Sequence, residues 1–360
     1  MTADIIQLDA FRLRDDEPGR VPELEIERPL FVDYLTIRQH HEGGGLPIVA
    51  DGFSTRIDAE GELRWQTLCN AECEGSFDSR MFIMSDGSTC LFHGNIARWE
   101  RPDNVFGYRW DETIDRINRL MARHFLPPFT PGDCLRYADS GWIWTGARIS
   151  RIDLTVNYWS GSQYNAQAVL YQLARHHAGR QLGSVMPDQA TVTYGYGSKY
   201  ASQKVYLKAV ELAKHKKKKH GQHVDPEVIK WCKDVGMLRE EITLKSRFLT
   251  QNGLCYLGQI TELELNRVYR ARSQIRKLPE YQVSETKELT SAAAGTLSRW
   301  EKGEPLQLKK ATYYRHRREI LDKTGIDISV QRSVVQLSPP VKVIEIQPLV
   351  APDWYRKKYG

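Results

Sequence analysis

The sequence predicts an α+β protein: an antiparallel sheet with helices on one face, followed by a small C-terminal helical domain. Few of the predicted strands alternate strictly with helices, which favours an antiparallel sheet over a doubly wound parallel one. After residue 262, apolar residues recur at helical spacing instead. The 360 residues, of which 41% are hydrophobic, suffice for two domains and a sizeable core.

The individual elements follow from the spacing of apolar residues. FVDYLTIRQ (31–39) alternates and predicts the opening strand. Two further strands, SRMFIMS and TCLFHGN, flank the turn signal Asp86-Gly87, and ETIDRINRLMARHF (112–125) predicts an amphipathic helix. More strands are predicted at 148–159, 190–197, 202–210 and 237–249, and more helices at 165–179 and 227–235.

The later part of the chain has predominantly helical patterns. Helical patterns cover residues 262–277, 291–303 and 307–325, and the end of the chain holds one short strand and a basic tail. Four regions are predicted. They are a polar, flexible N-terminal tail (1–28), a sheet domain (29–262), a helical domain (263–335) and a C-terminal strand with its tail (336–360).

Charge and apolar content argue against a membrane protein. Lys and Arg number 51 against 45 Asp and Glu, which gives a net charge of +6. A locally concentrated positive field attracts polyanions such as nucleic acid. No stretch approaches the ~20 apolar residues that span a bilayer, and the charged N-terminus lacks the apolar core of a signal peptide. We therefore expect a cytoplasmic protein with no membrane partner.

Three predicted strands share a polar face, because side chains alternate along a strand. This face carries one acidic residue from each of two strands and a tyrosine between two lysines from the third: Asp153, Glu241, Lys204, Tyr206 and Lys208. Glu240 falls on the apolar side of its strand, which indicates a bulge or an irregular register. An antiparallel sheet with helices behind it can expose such a charged face.

The chemistry of this face points to phosphoryl transfer. A tyrosine hydroxyl is a weak nucleophile until its anion is stabilised, and Lys204 and Lys208 would favour the phenolate of Tyr206 and steady a scissile phosphate. Asp153 and Glu241 are hard oxygen ligands suited to Mg²⁺ or Mn²⁺. The implied reaction is DNA strand transfer through a phosphotyrosine link. The alternative is a packing tyrosine beside surface ion pairs.

Further cations extend the polar face toward a phosphate backbone. Those on the strands and on the loop after the Tyr206 strand are Arg151, Arg239, Lys245, Lys216, Lys217, Lys218 and Lys219. A phosphate-contacting loop and a solvated loop tip are both compatible with the lysine run.

The helical domain has a basic aromatic helix. In KKATYYRHRREILDKTG, Thr312 can start the helix, and Arg315, Arg317 and Arg318 lie beside two tyrosines. After SRWEKG and a short turn, this segment resembles the recognition helix of a helix-turn-helix. The alternative is a helical hairpin with solvated arginines.

These segments together resemble the gene II (II/X) family of filamentous-phage replication initiators. The resemblance rests on four motifs in the family's order: SRID (150–153), TVT (191–193), VYLKAVEL (205–212) and LREEITLKSRFL (238–249). It also includes GNIARWERPDNVFG (94–107) and PDWY (352–355). It covers most of residues 30–260, with weaker support in the helical region.

The resemblance implies a site-specific nickase at a double-stranded phage origin. The tyrosine would form a 5′-phosphotyrosyl link and free a 3′ hydroxyl that primes rolling-circle synthesis, and the displaced single strand would later be cut and circularised. The matching positions are Tyr206, Lys208, Asp153 and Glu241, with Glu211 as a third acidic candidate. The partners implied are origin DNA and single-stranded product, with host helicase and polymerase as further candidates.

The chain departs from the wider class of rolling-circle initiators, which carry two histidines separated by one apolar residue. No such pair occurs here. His93 is the first histidine to consider as a metal ligand, with a structural role as the alternative. Two other functions stay open: a DNA-binding regulator that does not cut, and a plasmid or transposon initiator of similar chemistry.

Overall fold

The structure is a computed structural model that describes residues 30–73, 81–137, 141–175, 177–178, 181–215, 224–278, 289–301, 303–324, 327–329, 344 and 346–359. The predicted N-terminal tail lies outside these ranges. The chain forms two compact units: Met1–Lys277 with Ile346–Gly360, and Leu278–Glu345. Residues 263–277, which the sequence assigned to the helical domain, and the C-terminal strand and helix therefore pack within the first unit.

The strands are β1 (Phe31–His40), β2 (Ile48–Val49), β3 (Phe53–Ile57), β4 (Leu63–Leu68), β5 (Ala71–Cys73), β6 (Met81–Asp86), β7 (Thr89–Gly94), β8 (Cys134–Tyr137), β9 (Gly141–Trp144), β10 (Arg148–Trp159), β11 (His177–Ala178), β12 (Gln181–Leu182), β13 (Ser184–Val185), β14 (Thr191–Tyr194), β15 (Ala201–Leu207), β16 (Leu238–Lys245) and β17 (Gln347–Pro348).

The α-helices are α1 (Trp110–Arg123), α2 (Gln163–Leu173), α3 (Lys208–His215), α4 (Pro226–Asp234), α5 (Ser246–Gln251), α6 (Glu262–Arg272), α7 (Ser291–Glu301), α8 (Lys310–Thr324) and α9 (Asp353–Tyr359). Local chemistry sets several helix starts. Thr261 and Glu264 form a capping box at α6. Asp225 caps α4, which has Pro226 in its first turn.

Within the described residues, eleven strands form one antiparallel sheet, in the order β13-β14-β15-β16-β10-β1-β7-β6-β2, with β17 beside β10 and β5 beside β6. Helix α2 packs on β14 and β15, and the Tyr269 hydroxyl of α6 donates to Glu240 on the same side of the sheet. The α+β class with an antiparallel sheet is thereby confirmed.

The predicted alternation holds in the central strands. On β10, Ile152, Leu154 and Val156 are buried on the helix-covered side of the sheet. Strand β16 pairs with β10 and with β15 without a register shift. Glu240 therefore marks neither a bulge nor an irregular register. Its buried carboxylate accepts hydrogen bonds from Tyr269 (2.5 Å), Ser273 Oγ (2.6 Å) and the Gln274 backbone (2.7 Å).

Three predicted elements end earlier than expected. Strand β15 ends at Leu207 rather than Val210, because KAVELAKH turns into α3, whose buried Leu212 packs with α4. Strand β16 ends at Lys245, where α5 begins, and α2 ends at Leu173 rather than near Gly179.

Helix α9, at the C-terminal end of the first unit, packs against the loop at 101–106 beside the polar face. Tyr355 of α9 is buried with Val105 and Phe106, which follow the 3₁₀ turn after β7, and with α3 and α4. The Tyr355 hydroxyl donates to Asp103 and accepts a 2.8 Å hydrogen bond from Arg101. The C-terminal segment therefore fixes the loop at 101–106.

The second unit has its own small core. Ala293 and Trp300 of α7 pack against Ile320 of α8 and against Ile328. His316 is buried, and its Nδ1 lies 2.8 Å from Thr296 Oγ1. In the described part of the chain, no helix has both the length and the apolar character needed to cross a bilayer.

Candidate active site

Tyr206 lies at the centre of the polar face. Its cross-strand neighbours are Thr191 on β14 and Arg239 on β16, and only 6% of the residue is exposed. The hydroxyl donates a short hydrogen bond to Glu241 Oε1. The Lys204 Nζ lies 2.5 Å from Glu241 Oε2 and 5.1 Å from the centre of the Tyr206 ring.

The electrostatics leave the proton on the tyrosine and the charge on the carboxylate. Burial, reinforced by Glu241, raises the pKa of Tyr206 well above its ordinary value. Burial alone would raise the pKa of Glu241, but Lys204 and Arg239 lower it below the ordinary value. An ionised carboxylate therefore accepts the hydrogen bond of a neutral phenol, which is the arrangement that a general base needs.

Lys208 is close to Tyr206 but not on its strand. It is the first residue of α3 and is fully buried, with its Nζ 6.0 Å from the Tyr206 ring centre. The Nζ donates to Asn104 Oδ1 (2.9 Å) and Glu211 Oε2 (2.7 Å). Burial, together with Arg239, lowers the pKa of Lys208. Lys204 and Tyr206 thus share one face of β15 as expected, whereas Lys208 approaches the Tyr206 ring from the start of α3.

Arg239, an expected DNA contact, is held by hydrogen bonds within the fold. It is fully buried, and it donates to Asn157 Oδ1 (2.9 Å) and to the backbone carbonyls of Asn104 (2.6 Å) and Val105. The loop at 101–106 covers this end of the face and leaves Arg239 unexposed, and the expected contact of Arg239 with a phosphate backbone stays a prediction.

Asp33 is a site residue that the sequence pattern did not single out. It lies where β1 shifts register against β10, between Val32 and Tyr34. Its Oδ1 accepts hydrogen bonds from Asn95 Nδ2 (3.0 Å) and Asn104 Nδ2 (3.1 Å). Burial and Glu241 raise the pKa of Asp33. The sequence feature that could have indicated Asp33 is an acidic residue inside an apolar strand. Asn104 could be recognised only as part of the NVFG motif.

The three predicted metal ligands do not form a cluster within the described residues. Both oxygens of Asp153 accept hydrogen bonds from Arg151, at 2.9 and 2.6 Å. The Arg151 guanidinium stacks 4.1 Å from the ring centre of Tyr34, whose hydroxyl lies 3.2 Å from His93 Nδ1. Two side chains thus separate His93 from the carboxylate. Among the residues with described positions, no cluster of three or more His, Cys, Asp or Glu could hold a metal ion.

The other predicted DNA contacts have varied surroundings. The Lys245 Nζ donates to the Ser198 carbonyl at 2.6 Å, and Arg151 keeps 39% of its side chain exposed. In the second unit, Arg315 and Arg318 are exposed, and Arg317 forms a double hydrogen bond to Asp327 at 2.7 and 2.6 Å. Lys216, Lys217, Lys218 and Lys219 lie outside the described residues.

Comparison with known proteins identifies the family. The family model for the N-terminal part of a phage replication-associated protein, the gene II protein, matches residues 31–264, which include the whole polar face. The chain belongs to this replication-associated protein family. A second model, for the C-terminal part of the same protein, matches residues 280–359. The resemblance to filamentous-phage gene II proteins is thereby confirmed.

Individual members of the replication-associated protein family are distant but match over most of their length. The chain is 27% identical to the replication-associated protein of Escherichia phage If1, over 75% of this chain and 95% of that protein. It is 26% identical to the protein of the same name from Enterobacteria phage I2-2, over 83% of this chain and 90% of that protein. The similarity therefore extends through both units.

Proposed function

We propose that the chain initiates rolling-circle replication of a phage genome by nicking its double-stranded origin through a 5′-phosphotyrosyl intermediate at Tyr206. The observation that carries this proposal is the hydrogen bond from the Tyr206 hydroxyl to an ionised Glu241, whose second oxygen is held by Lys204. Membership of the replication-associated protein family supplies the link to replication.

The side chains account for the proton and the charge in the first step. Glu241 accepts the phenolic proton as the Tyr206 oxygen attacks phosphorus. The bond from phosphorus to the 3′ oxygen then breaks, and water protonates the leaving oxygen. Lys204, whose side chain is 46% exposed, can turn toward the phosphate and offset the charge that develops there.

Strand closure follows the same path in reverse. A 3′ hydroxyl attacks the phosphotyrosine and gives its proton to water, the phosphodiester re-forms, and the Tyr206 oxygen recovers the proton held by Glu241. One phosphodiester replaces another at each step, so no nucleotide triphosphate is required. This reversal circularises the displaced single strand once a separate cut has freed its 3′ hydroxyl.

Mg²⁺ or Mn²⁺ remains a proposal of its own. The set predicted from sequence, Asp153, Glu241 and His93, does not fit a metal in the described arrangement, because Arg151 occupies both oxygens of Asp153 and Tyr34 holds His93. The proton transfer described above uses side chains alone. Nicking after chelation, and its recovery with each cation, measures whether a metal is required.

The second unit is the proposed origin reader. Helices α7 and α8 pack through their own core, and α8 presents Arg315 and Arg318. Lys and Arg contacts to phosphates and base edges are the ordinary means of duplex recognition. If this proposal is correct, Arg315→Gln and Arg318→Gln will weaken binding to origin duplex. Adduct formation on a short single strand will be unchanged.

The direct test uses supercoiled DNA that carries the origin of the replicon encoding this chain. Wild type and Tyr206→Phe are incubated with it in Mg²⁺ or Mn²⁺, and nicked circles and 5′ covalent adducts are measured after denaturation. The proposal predicts both products with wild type and neither with Tyr206→Phe. Specific binding by folded wild type without nicking, across metals and superhelical densities, would instead favour a DNA-binding regulator.

A further inference from the structure

A cavity of about 140 Å³ gives access to the otherwise buried Tyr206. It lies between β14, β15 and α3, and its lining includes Tyr206 together with Thr191, the cross-strand neighbour of the tyrosine. Two lysines, Lys204 and Lys214, and two carboxylates, Asp188 and Glu211, line the same cavity. Such a charged space suits a polar group, and it can take an anion only if a lysine leaves its carboxylate.

Lys214 forms an ion pair inside this lining. Its Nζ lies 2.5 Å from Asp188 Oδ2, and about half of the lysine side chain (51%) is exposed, against 26% of the aspartate. Exposed ion pairs of this kind add little to stability, because water solvates both groups and the side chains lose freedom. Lys214 can therefore change partners readily.

Asp188 is satisfied without Lys214. Its Oδ1 accepts a hydrogen bond from the Ala190 backbone at 2.9 Å, and its Oδ2 accepts one from Thr191 Oγ1 at 3.1 Å. If the lysine moves away, the carboxylate keeps both of these donors and stays partly exposed to water. The fold thus holds the Lys214 ammonium in the cavity beside Tyr206, paired with Asp188, which can release it.

We propose that this cavity binds a backbone phosphate of the DNA strand that Tyr206 attacks, and that Lys214 exchanges Asp188 for this phosphate. A phosphate offers Lys214 several anionic oxygens, whereas Asp188 offers it one oxygen that also accepts from Thr191. Charge-assisted hydrogen bonds to phosphate are also strong. The inference rests on the proposed function, because the strand is placed by its reaction with Tyr206. Lys214 is a positioning residue that raises the occupancy of the attacked strand.

Four measurements on a short single-stranded oligonucleotide with the origin sequence test this exchange. Lys214→Gln is expected to raise KM roughly fivefold with kcat within about twofold, and to reduce the salt slope of binding by about 0.7. Asp188→Asn is expected to lower KM, because Lys214 is released. In the double variant the KM should not fall in this way, because the effect of Asp188 acts through Lys214.

A matched ion pair serves as control. Lys230 and Asp234 on α4 are also exposed and pair at 3.3 Å, outside this cavity, so Lys230→Gln and Asp234→Asn should leave KM and the salt slope unchanged. The exchange is refuted if Lys214→Gln behaves like Lys230→Gln, or if Asp188→Asn improves binding equally without Lys214. Absence of any adduct with wild type would instead refute the nucleophile, and the salt slope of binding would still decide the role of Lys214.

Discussion

Glu240 and Glu241 are consecutive residues of β16, and their carboxylates lie on opposite faces of the sheet. Glu241 accepts the hydroxyl of Tyr206 on the polar face, whereas Glu240 accepts the hydroxyl of Tyr269 beneath the sheet. Both are buried, but only Glu241 contacts Tyr206, whereas Glu240 holds Tyr269 and the residues that follow it. The same substitution at the two positions should therefore have different effects.

Glu241→Gln should slow adduct formation without weakening DNA binding. An amide cannot take the phenolic proton, and loss of a general base lowers rates by roughly 10²–10⁴-fold. Single-turnover adduct formation on an oligonucleotide measures this effect, with binding measured by fluorescence anisotropy. A rate equal to that of wild type would exclude Glu241 as the base.

Glu240→Gln should lower the free energy of unfolding and leave adduct formation nearly intact. Hydroxyl groups donate to one oxygen of the carboxylate and backbone N–H groups donate to the other. The NH₂ group of an amide would face donors from which it cannot accept. A buried donor left unsatisfied costs about 1–3 kcal/mol. Urea unfolding measures the loss. If activity instead falls as steeply as in Glu241→Gln, the two faces do not have separate roles.

The stability of Lys208→Met relative to wild type should be more favourable at neutral than at alkaline pH. The pKa of Lys208 is lowered by burial, so the unfolded chain binds a proton more tightly than the folded chain, and this site opposes folding below its folded pKa. As pH rises toward the ordinary Lys value of ~10.4, this opposition fades. The stability difference between variant and wild type should therefore shift against the variant between pH 7 and pH 9.5.

Urea unfolding at the two pH values gives this difference, because titrations common to both proteins cancel. Loss of the hydrogen bonds to Asn104 and Glu211 shifts the difference at both pH values and does not affect its slope. A difference independent of pH would mean that Lys208 titrates normally in the folded chain.

Tyr355→Phe should destabilise the fold and reduce nicking from outside the site. Its hydroxyl joins Arg101 to Asp103, in the loop whose Asn104 contacts both Lys208 and Arg239. Removing it leaves buried charged groups short of a partner, at a cost of about 1–3 kcal/mol. Thermal unfolding and nicking rates measure both effects.

Tyr359→Phe is the matched control for α9. The Tyr359 hydroxyl donates to Asp225 Oδ2 at 2.9 Å, and Lys358 also holds that oxygen at 2.6 Å. This substitution leaves Asp225 with a partner, so its effect should be smaller. Equal losses in the two variants would mean that α9 acts only by its apolar contacts.

Much of the polar face could be predicted because strand alternation is strict in β10 and β16. Placing Asp153 and Glu241 on one face requires only the period of two, and the pairing of the two strands then follows from their antiparallel register. Lys204 and Tyr206 follow the same rule on β15. The position of Tyr206 beside an acidic residue, Glu241, was therefore accessible from sequence.

The remaining features depend on contacts between distant segments. Arg239 has the alternation of an exposed residue, but a loop more than a hundred residues earlier in the chain covers it. Lys208 continues the alternating pattern of β15 although the backbone turns into α3 there. Asp33 enters the site through a register shift, which apolar spacing does not indicate.

The most direct test of the account is to identify the residue that carries the DNA. Wild type is allowed to react with an origin oligonucleotide, the adduct is digested with trypsin and nuclease, and the modified peptide is sequenced by mass spectrometry. The account predicts a nucleotide on Tyr206, beside Glu241. Attachment at Tyr200 or at Tyr196, which is 80% exposed, would contradict it and move the nucleophile to the loop before β15.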